Sequence, residues 1–317
     1  MLNILYCFDE NYNKQAAVSI FSLLENVSEQ IEIYIIHKNP DTFIDIKNKI
    51  NKHKNLSKLY IHKFKNTKFS FPNIAGTHVS EATYYRFFIE EFIDSKIENL
   101  LYLDSDIVCI NDPISELKKE IEKLNKTNNL IAAVSESQSI REDLHLSSGK
   151  YFNAGVMLIN LKKWHENEME KKLVTLAENT KKNILFWDQD ILNLYFDGSY
   201  IELSSYMNYT LGMIPFEKVT HESIEELDEI KFIHYVGKFK PWSLKGIVNT
   251  KSIFYQDIYR NLFHGSYHLQ SSRKMNTIFD LYKSITFGVF FNVQYPFQLL
   301  FIVLKSLLKS SEKKSNL

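Results

Sequence analysis

An apolar run that ends in two aspartates constrains this chain more than any other feature. Residues 100–103 are aliphatic or aromatic, Asp104 and Asp106 follow with Ser105 between them, and a turn signal stands at 111–113. Such a run predicts a β-strand of a sheet that is covered on both faces. Because side chains alternate along a strand, we expect both carboxylates to point to the same side. They would repel each other unless a positive charge lies nearby, so they either bind a hard divalent cation or only cap the next turn.

Composition and charge bound the class of protein. With 317 residues the chain is long enough for one large α/β domain with an appendage, or for two smaller domains. Its 38 basic and 38 acidic side chains balance, which argues against a nucleic-acid binder because such proteins carry a basic surplus. Cys7 and Cys109 lie in apolar, strand-like runs and are expected to be buried thiols. The first predicted strand reaches Asp9 too early for a signal peptide, so we expect a cytoplasmic protein.

Predicted strands and helices alternate along the first sixty residues. Strands are expected at 3–8, at 31–36 and from 59, with helices at about 15–25 and 41–52 between them. This β-α-β-α-β opening is typical of a parallel, nucleotide-binding half-sheet. Ligands of such sheets bind at the carboxyl ends of the strands. Asp9 and the aspartate pair both fall at such ends, so one ligand could contact both.

The remainder of the chain continues the α/β pattern and then changes in character. Loops, one of them long enough to close over a site, are expected at 136–150 and 205–220. The composition changes at about residue 265, which predicts a domain of residues 1–264 and a helical tail of residues 265–317. Further strands are expected at 130–134, 151–161 and 231–234, and helices at about 81–92, 162–182, 188–196 and 252–263.

The tail contains a stretch without charge. Residues 284–304 carry no charged side chain, and a stretch of this length would permit a membrane span. Polar residues and Pro296 interrupt its middle, which favours two helices lying on the membrane surface over a span. A helix pair packed on protein is the remaining alternative. The basic residues that follow favour anionic lipid: Lys305, Lys309, Lys313 and Lys314.

Four further motifs follow a fixed order with the Asp-Ser-Asp sequence. They are Asp-Glu-Asn-Tyr at 9–12, Tyr-Phe-Asn-Ala-Gly at 151–155, Trp-Asp-Gln-Asp at 187–190 and His-Tyr-Val-Gly-Lys-Phe-Lys-Pro-Trp at 234–242. Over roughly residues 3–245 the chain resembles glycosyltransferase family 8, in particular the bacterial lipooligosaccharide galactosyltransferases and, more distantly, glycogenin. The resemblance implies a GT-A type fold, in which helices flank a Rossmann-like mixed sheet. It also implies transfer of galactose or glucose from a UDP-sugar to a cell-surface glycan or glycolipid such as lipopolysaccharide.

The resemblance also implies a metal ion and the residues that bind it. Mn²⁺, with Mg²⁺ as the alternative, would be held by Asp104, Asp106 and His234. This mixed oxygen and nitrogen set suits Mn²⁺, and a metal ion would offset the charge of the departing diphosphate. Gly237 would let the backbone approach the diphosphate, and Lys240 would add positive charge as the bond breaks.

The same resemblance assigns residues to the donor. Asp9 and Asn11 would contact the uridine, and Ser105 would lie near the ribose. Glu136 stands where the galactosyltransferases carry an aspartate, so the identity of the hexose stays open. The residues that would surround the donor sugar are Arg86, Asn153, Asp188 and Gln189, and those expected to take part in catalysis are Gln189, Asp188 and Lys240.

The family retains the configuration of the anomeric carbon. A covalent route would need a carboxylate nucleophile, whereas the matched position is the amide Gln189. We therefore expect departure and attack on the same face of the sugar. Two other classes of function stay open, namely a nucleotide-sugar hydrolase or pyrophosphatase on the same metal site, and a non-catalytic glycan- or nucleotide-binding module. The predicted location is the cytoplasmic face of the membrane, and the sequence does not indicate an oligomeric state.

Overall fold

The structure, a computed structural model, describes residues 1–65, 69–71, 80–136, 141–214, 227–270 and 274–312. The chain divides into two compact units. The first unit comprises residues 1–209 and 230–232, and the second comprises residues 210–229 and 233–317. The predicted boundary between residues 264 and 265 is a different division, and it falls inside the second unit.

A seven-stranded mixed sheet forms the centre of the first unit. The strands of the first unit are β1 Leu2–Phe8, β2 Ile31–His37, β3 Leu56–Lys63, β4 Asn99–Leu103, β5 Ile107–Cys109, β6 Ile131–Ser135, β7 Phe152–Asn160 and β8 Ile201–Glu202. The order in the sheet is β3-β2-β1-β4-β7-β6-β8, in which β5 takes no part. Strands β3, β2, β1 and β4 run parallel, whereas β7 is antiparallel to both β4 and β6.

Helices of the first unit bury apolar faces against this sheet. All nine residues of β7 are buried, as expected for a strand covered on both faces. The first helix, at Asn13–Asn26, buries Ala16, Ala17 and Ile20, which share one face because of the helical period. Cys7 and Cys109 are buried free thiols, as predicted. The helices are α1 Asn13–Asn26, α2 Ile44–Ile50, α3 Ile89–Phe92, α4 Ile114–Asn125, α5 Leu161–Glu166, α6 Met169–Asn179 and α7 Trp187–Phe196.

The aspartate pair lies in a turn and not in a continuous strand. Strand β4 ends at Leu103, and the Ile107 N–H donates to the carbonyl of Asp104 at 3.3 Å. The expectation that Asp104 and Asp106 lie on extended backbone is therefore wrong. Carboxylates inside a sheet covered on both faces would lose their hydration. The turn between β4 and β5 leaves the side chains of Asp104 and Asp106 partly exposed.

Two predicted helices differ in form. Residues Glu81–Phe88 form a 3₁₀ helix before α3, and their aromatic side chains are buried; aromatic residues lose rotamer freedom in an α-helix. The helix expected at 162–182 is divided into α5 and α6 because Glu168 adopts a left-handed conformation with φ 50°. Of the two expected loops, residues 137–140 and 215–220 lie outside the described residues.

The second unit is mainly helical. The short strands β9 Tyr209–Thr210 and β10 Phe232–His234 each contain a point at which the chain passes from one unit to the other. Residues from both sides of position 265 share one core, in which Leu244 and Ile247 lie with Phe290 and Leu299. No helix of the described part of the chain is long and apolar enough to cross a membrane. The helices are α8 Leu244–Ile247, α9 Ile253–Phe263, α10 Lys274–Thr286 and α11 Pro296–Glu312.

Candidate functional site

A buried arginine joins two carboxylates that are far apart in sequence. Arg86, on the 3₁₀ helix before α3, is 3% exposed. Its Nη2 donates to Asp104 Oδ1 at 2.8 Å, and its Nε forms an ion pair with Asp188 Oδ2 at 2.8 Å. Its Nη1 donates to the carbonyl of Ala154 at 2.6 Å, and the guanidinium lies 3.9 Å from the centre of the Tyr102 ring. The planar fork of arginine suits this multiple pairing. Each of the three nitrogens thus contacts protein, and contact of Arg86 with a donor stays a prediction.

Asp188 is held ionised against the effect of its burial. Its carboxylate is 3% exposed, and burial, with a contribution from Asp104, raises its pKa to about 6. Arg86 and a hydrogen bond from the Thr83 hydroxyl oppose this rise. Asp188 also lies in the first turn of α7, where the helix dipole favours a negative charge. Thr83 was not predicted as a site residue, because a threonine in a helix gives no sequence pattern of its own.

The turn after β4 offers oxygen ligands. Asp104 Oδ1 accepts from Arg86 and, at 2.6 Å, from the Tyr102 hydroxyl. Among the described residues no further hydrogen bond is recorded to Oδ2, on a side chain that is 29% exposed. Ser105 is 8% exposed, and its Oγ has no hydrogen-bond partner within the part of the chain that the structure describes. With Asp106 partly exposed beside it, this turn fits a hard divalent cation in ligand type.

The loop after β1 lies at the same edge of the sheet. Asp9 and Asp104 both follow carboxyl ends of strands, as the sequence predicted, and these strands, β1 and β4, are parallel neighbours. Asp9 is 6% exposed and caps the turn 10–12: its Oδ1 accepts from the Asn11 N–H at 2.9 Å and its Oδ2 from Asn11 Nδ2 at 3.4 Å. Burial raises the pKa of Tyr12, and the negative charges of Asp106, Asp9 and Asp104 raise it further. Several carboxylates therefore converge at this edge.

Asn153 and Glu136 contact each other directly. Asn153 Nδ2 donates to Glu136 Oε1 at 2.7 Å, while its Oδ1 accepts from the Gly155 N–H at 2.9 Å and from Asn208 Nδ2 at 3.0 Å. Because both the nitrogen and the oxygen of the Asn153 amide form hydrogen bonds, the orientation of the amide is determined. Asn208 is 2% exposed and was missed from the sequence, since its segment shows no periodicity.

Gln189 is partly exposed near the start of α7. Its Oε1 accepts from the Ala154 N–H at 3.0 Å, and its Nε2 donates to the Tyr151 hydroxyl at 3.0 Å. Arg86 bonds the carbonyl of the same Ala154. Ala154 of strand β7 thus contacts both Gln189 and Arg86, so the structure brings these two predicted site residues together.

The second unit holds the remaining predicted residues. His234 ends β10 and is 5% exposed. Gly237 has φ +77°, which glycine adopts without strain. Lys240 Nζ donates to the carbonyl of Tyr235 at 2.5 Å. A Cβ at Gly246 would lie 1.9 Å from the Lys240 carbonyl oxygen, so only glycine permits α8 to approach this loop.

Comparison with known proteins gives one family. The model of Glycosyl transferase family 8 matches residues 3–246. A lipopolysaccharide 1,2-glucosyltransferase of Escherichia coli is 33% identical over 76% of this chain and 73% of its own length. A lipopolysaccharide 1,3-galactosyltransferase of Salmonella typhimurium is 29% identical over 55% of this chain and 53% of its own. Among solved structures, the galactosyltransferase LgtC in complex with donor and acceptor sugar analogues has a TM-score of 0.64 at 22% identity, over 82% of this chain and 96% of LgtC.

Proposed function

The chain belongs to glycosyl transferase family 8, and from this premise we propose that it moves a galactosyl or glucosyl group from a UDP-sugar to a cell-surface glycan of the lipopolysaccharide or lipooligosaccharide class. It is a glycosyltransferase, and the predicted family and GT-A fold are confirmed. The relatives named above support the acceptor class and leave both hexoses open. The observation that carries the proposal is the cluster in which Arg86 holds Asp104 and Asp188 at the carboxyl edge of the sheet.

A nucleotide diphosphate suits the polar groups at this edge. An unpaired buried hydroxyl costs about 1–3 kcal/mol, and a ribose hydroxyl would satisfy Ser105 Oγ. Asp9 follows the neighbouring strand β1, and we propose that it and Asn11 bind the uridine. In the second unit, Gly237 and Lys240 are proposed to bind the diphosphate.

We propose that Asp104, Asp106 and His234 bind a divalent cation, with Mn²⁺ preferred over Mg²⁺. The partly exposed carboxylate of Asp104 and the combination of carboxylate with imidazole support this assignment. When bound, the ion would supply positive charge for the diphosphate leaving group. Arg86 and Tyr102 would keep the Asp104 carboxylate oriented toward it.

We propose that transfer retains the anomeric configuration and proceeds on one face of the sugar. A covalent route would need an accessible carboxylate. Asp188 and Asp190, the carboxylates beside Gln189, are 3% and 0% exposed and are paired with Arg86 and Arg141. Their burial supports an amide that orients and stabilises over a carboxylate that attacks. The roles proposed for Arg86, Glu136, Asn153 and Asp188 are to hold the donor sugar directly or through one another.

A donor screen tests the proposed function. The full-length protein is incubated with UDP-galactose or UDP-glucose and Mn²⁺, with and without lipopolysaccharide acceptors that lack terminal sugars, and UDP release is measured. We expect release from at least one donor, acceleration by an acceptor, loss in EDTA, and an α-linked product by NMR. Acceptor-independent release would identify a nucleotide-sugar hydrolase instead. Donor binding without turnover would identify a binding module.

Helices α10 and α11 expose two apolar stripes. The exposed residues recur at intervals of three and four, so each set lies on one face of its helix. The opposite face of α11 is buried, with Leu299 and Val303 both 0% exposed. Soluble monomers rarely expose apolar patches of this kind without a partner. The apolar stripes are Met275, Phe279 and Tyr282 on α10, and Phe297, Phe301, Leu304 and Leu308 on α11.

We propose that the apolar stripes insert into an anionic membrane surface, on its cytoplasmic face. Lys283 lies along the α10 stripe, with Nζ 4.4 Å from the centre of the Phe279 ring, and exposed Lys305 follows Leu304 on α11. Apolar side chains bordered by lysine match the boundary between lipid tails and anionic headgroups. Because the core of this unit includes residues on both sides of position 265, point variants test the proposal better than truncation does.

Replacement of Phe297 and Phe301 by glutamine is expected to weaken binding to vesicles of phosphatidylglycerol and phosphatidylethanolamine by tenfold or more. Each buried phenylalanine contributes roughly 1.5–3 kcal/mol, and about 1.4 kcal/mol is tenfold. Cosedimentation measures the effect. The matched control replaces Ile44 and Ile253 by glutamine. These residues are 53% and 47% exposed and lie outside the apolar stripes, so the control should bind vesicles like wild type. Absence of vesicle binding by wild type, or a dimer dissociated by the phenylalanine variant, would contradict the proposal.

A further inference from the structure

The hydrogen bonds of Gln189 permit only one orientation of its amide. The Ala154 N–H can only donate, so the group that faces it must be the oxygen Oε1. The Tyr151 hydroxyl gives its proton to Asp190 Oδ1 at 2.7 Å, and it therefore presents a lone pair to Gln189 Nε2. A flipped amide would place two donors against each other at Ala154. These two bonds use one lone pair of Oε1 and one N–H of Nε2, which leaves a second lone pair and a second N–H.

Asp190 sets the direction of this chain of bonds. It is 0% exposed. Its Oδ2 accepts from the Leu185 and Phe186 N–H groups, each at 2.8 Å, and from Arg141 Nη1. With three donors on Oδ2, Oδ1 is the oxygen that remains for Tyr151. An ionised carboxylate has no proton to donate, so the Tyr151 hydroxyl must act as the donor.

We propose that Tyr151 and Asp190 are positioning residues that hold the Gln189 amide in a single orientation toward the donor sugar. This inference rests on the proposed function, because Gln189 is the amide assigned to the transfer step. The bond directions run from Gln189 Nε2 to Tyr151 and from Tyr151 to Asp190. The amide therefore presents one N–H and one oxygen lone pair at constant positions, and it pays no reorganisation cost when charge develops in the transition state.

The first test does not depend on activity. Tyr151→Phe keeps the ring and removes the hydroxyl, and the side-chain amide resonances of Gln189 are assigned by their absence in Gln189→Ala. We expect Tyr151→Phe to shift the Gln189 Nε2 protons and to accelerate their exchange with solvent. The matched control is Tyr6→Phe, which removes a fully buried hydroxyl that bonds Ser19, and it should leave these resonances in place. Unchanged Gln189 resonances in Tyr151→Phe would overturn the inference whatever the enzyme transfers.

The second test is a double-mutant cycle in the transfer reaction. Tyr151→Phe should lower kcat about tenfold, the effect of one hydrogen bond, while KM for the donor changes less than twofold. In a Gln189→Ala background the same substitution should leave kcat unchanged, because Tyr151 acts through Gln189. An equal loss in both backgrounds would overturn the inference and leave the proposed function standing. Absence of any transfer by wild type would refute the proposed function, and the amide resonances would still decide the geometry.

Discussion

Asp104→Asn and Asp106→Asn are expected to lower kcat/KM for glycosyl transfer on the order of 10³-fold. A metal ion contributes several kcal/mol to stabilising charge on a leaving group, and each 1.36 kcal/mol corresponds to a tenfold change in rate. Asparagine is a better replacement than alanine at position 104. It keeps an oxygen that accepts from Arg86 and Tyr102, so the buried guanidinium retains this bond.

Three measurements make the result specific to the metal. Both variants should bind UDP more weakly than wild type in Mn²⁺ and equally well in EDTA, by calorimetry. Their urea midpoints should stay near that of wild type. Asp45→Asn, which changes an exposed carboxylate on α2, should transfer normally. Full activity in EDTA, or in either turn variant, would contradict the assignment of Asp104 and Asp106 as metal ligands.

Arg86→Met is expected to reduce the free energy of unfolding by about 3–5 kcal/mol, the usual cost of removing one partner of a buried ion pair. The loss leaves Asp188, already 3% exposed, without the cation that opposes the effect of its burial. Asp104 loses a donor as well. Transfer should fall with stability, because both carboxylates belong to the proposed site. Urea denaturation of the metal-free protein measures the change.

A surface pair serves as the comparison. Lys118 and Glu29 approach to 2.6 Å, but Lys118 is 57% exposed, so Lys118→Met should cost less than about 1 kcal/mol. Arg86→Lys should give an intermediate stability, because lysine keeps the charge and loses the planar fork. If the free energy of unfolding of Arg86→Met lies within about 1 kcal/mol of the wild-type value, the ion pairs of Arg86 with Asp104 and Asp188 do not stabilise the fold as described.

Several elements were predictable because they depend on local order along the chain. Strands β1 and β2 and helix α1 begin and end within two residues of their predicted bounds, since alternation and helical period decide which side chains reach the core. The same pattern placed Asp9 and Asp104 at the carboxyl ends of strands without knowledge of any contact. That these two strands, β1 and β4, are neighbours in the sheet came only from the structure. The motifs indicated the family, and the family model confirmed it.

Other features depend on partners that are distant in sequence. Arg86 pairs with Asp188, 102 positions away, and sequence periodicity gives no sign of such a pair. Tyr151 and Asp190 were not singled out as site residues, because their function depends on a hydrogen bond that forms only when β7 and α7 meet. Asp104 and Asp106 were placed on a strand, because an apolar run does not show where its backbone turns.

The sequence by itself determined the fold class, the family and the identity of the carboxylates and amide at the candidate site. The fold class follows from the spacing of side chains along the chain, which is a local property. The family and the site residues follow from motifs that resemble those of a known family. Only the tertiary structure decided the turn at 104–106, the buried position of Arg86 and the orientation of the Gln189 amide. Each of these depends on burial, which raises the cost of an unpaired charge or hydrogen-bonding group and so selects among arrangements that are equivalent in water.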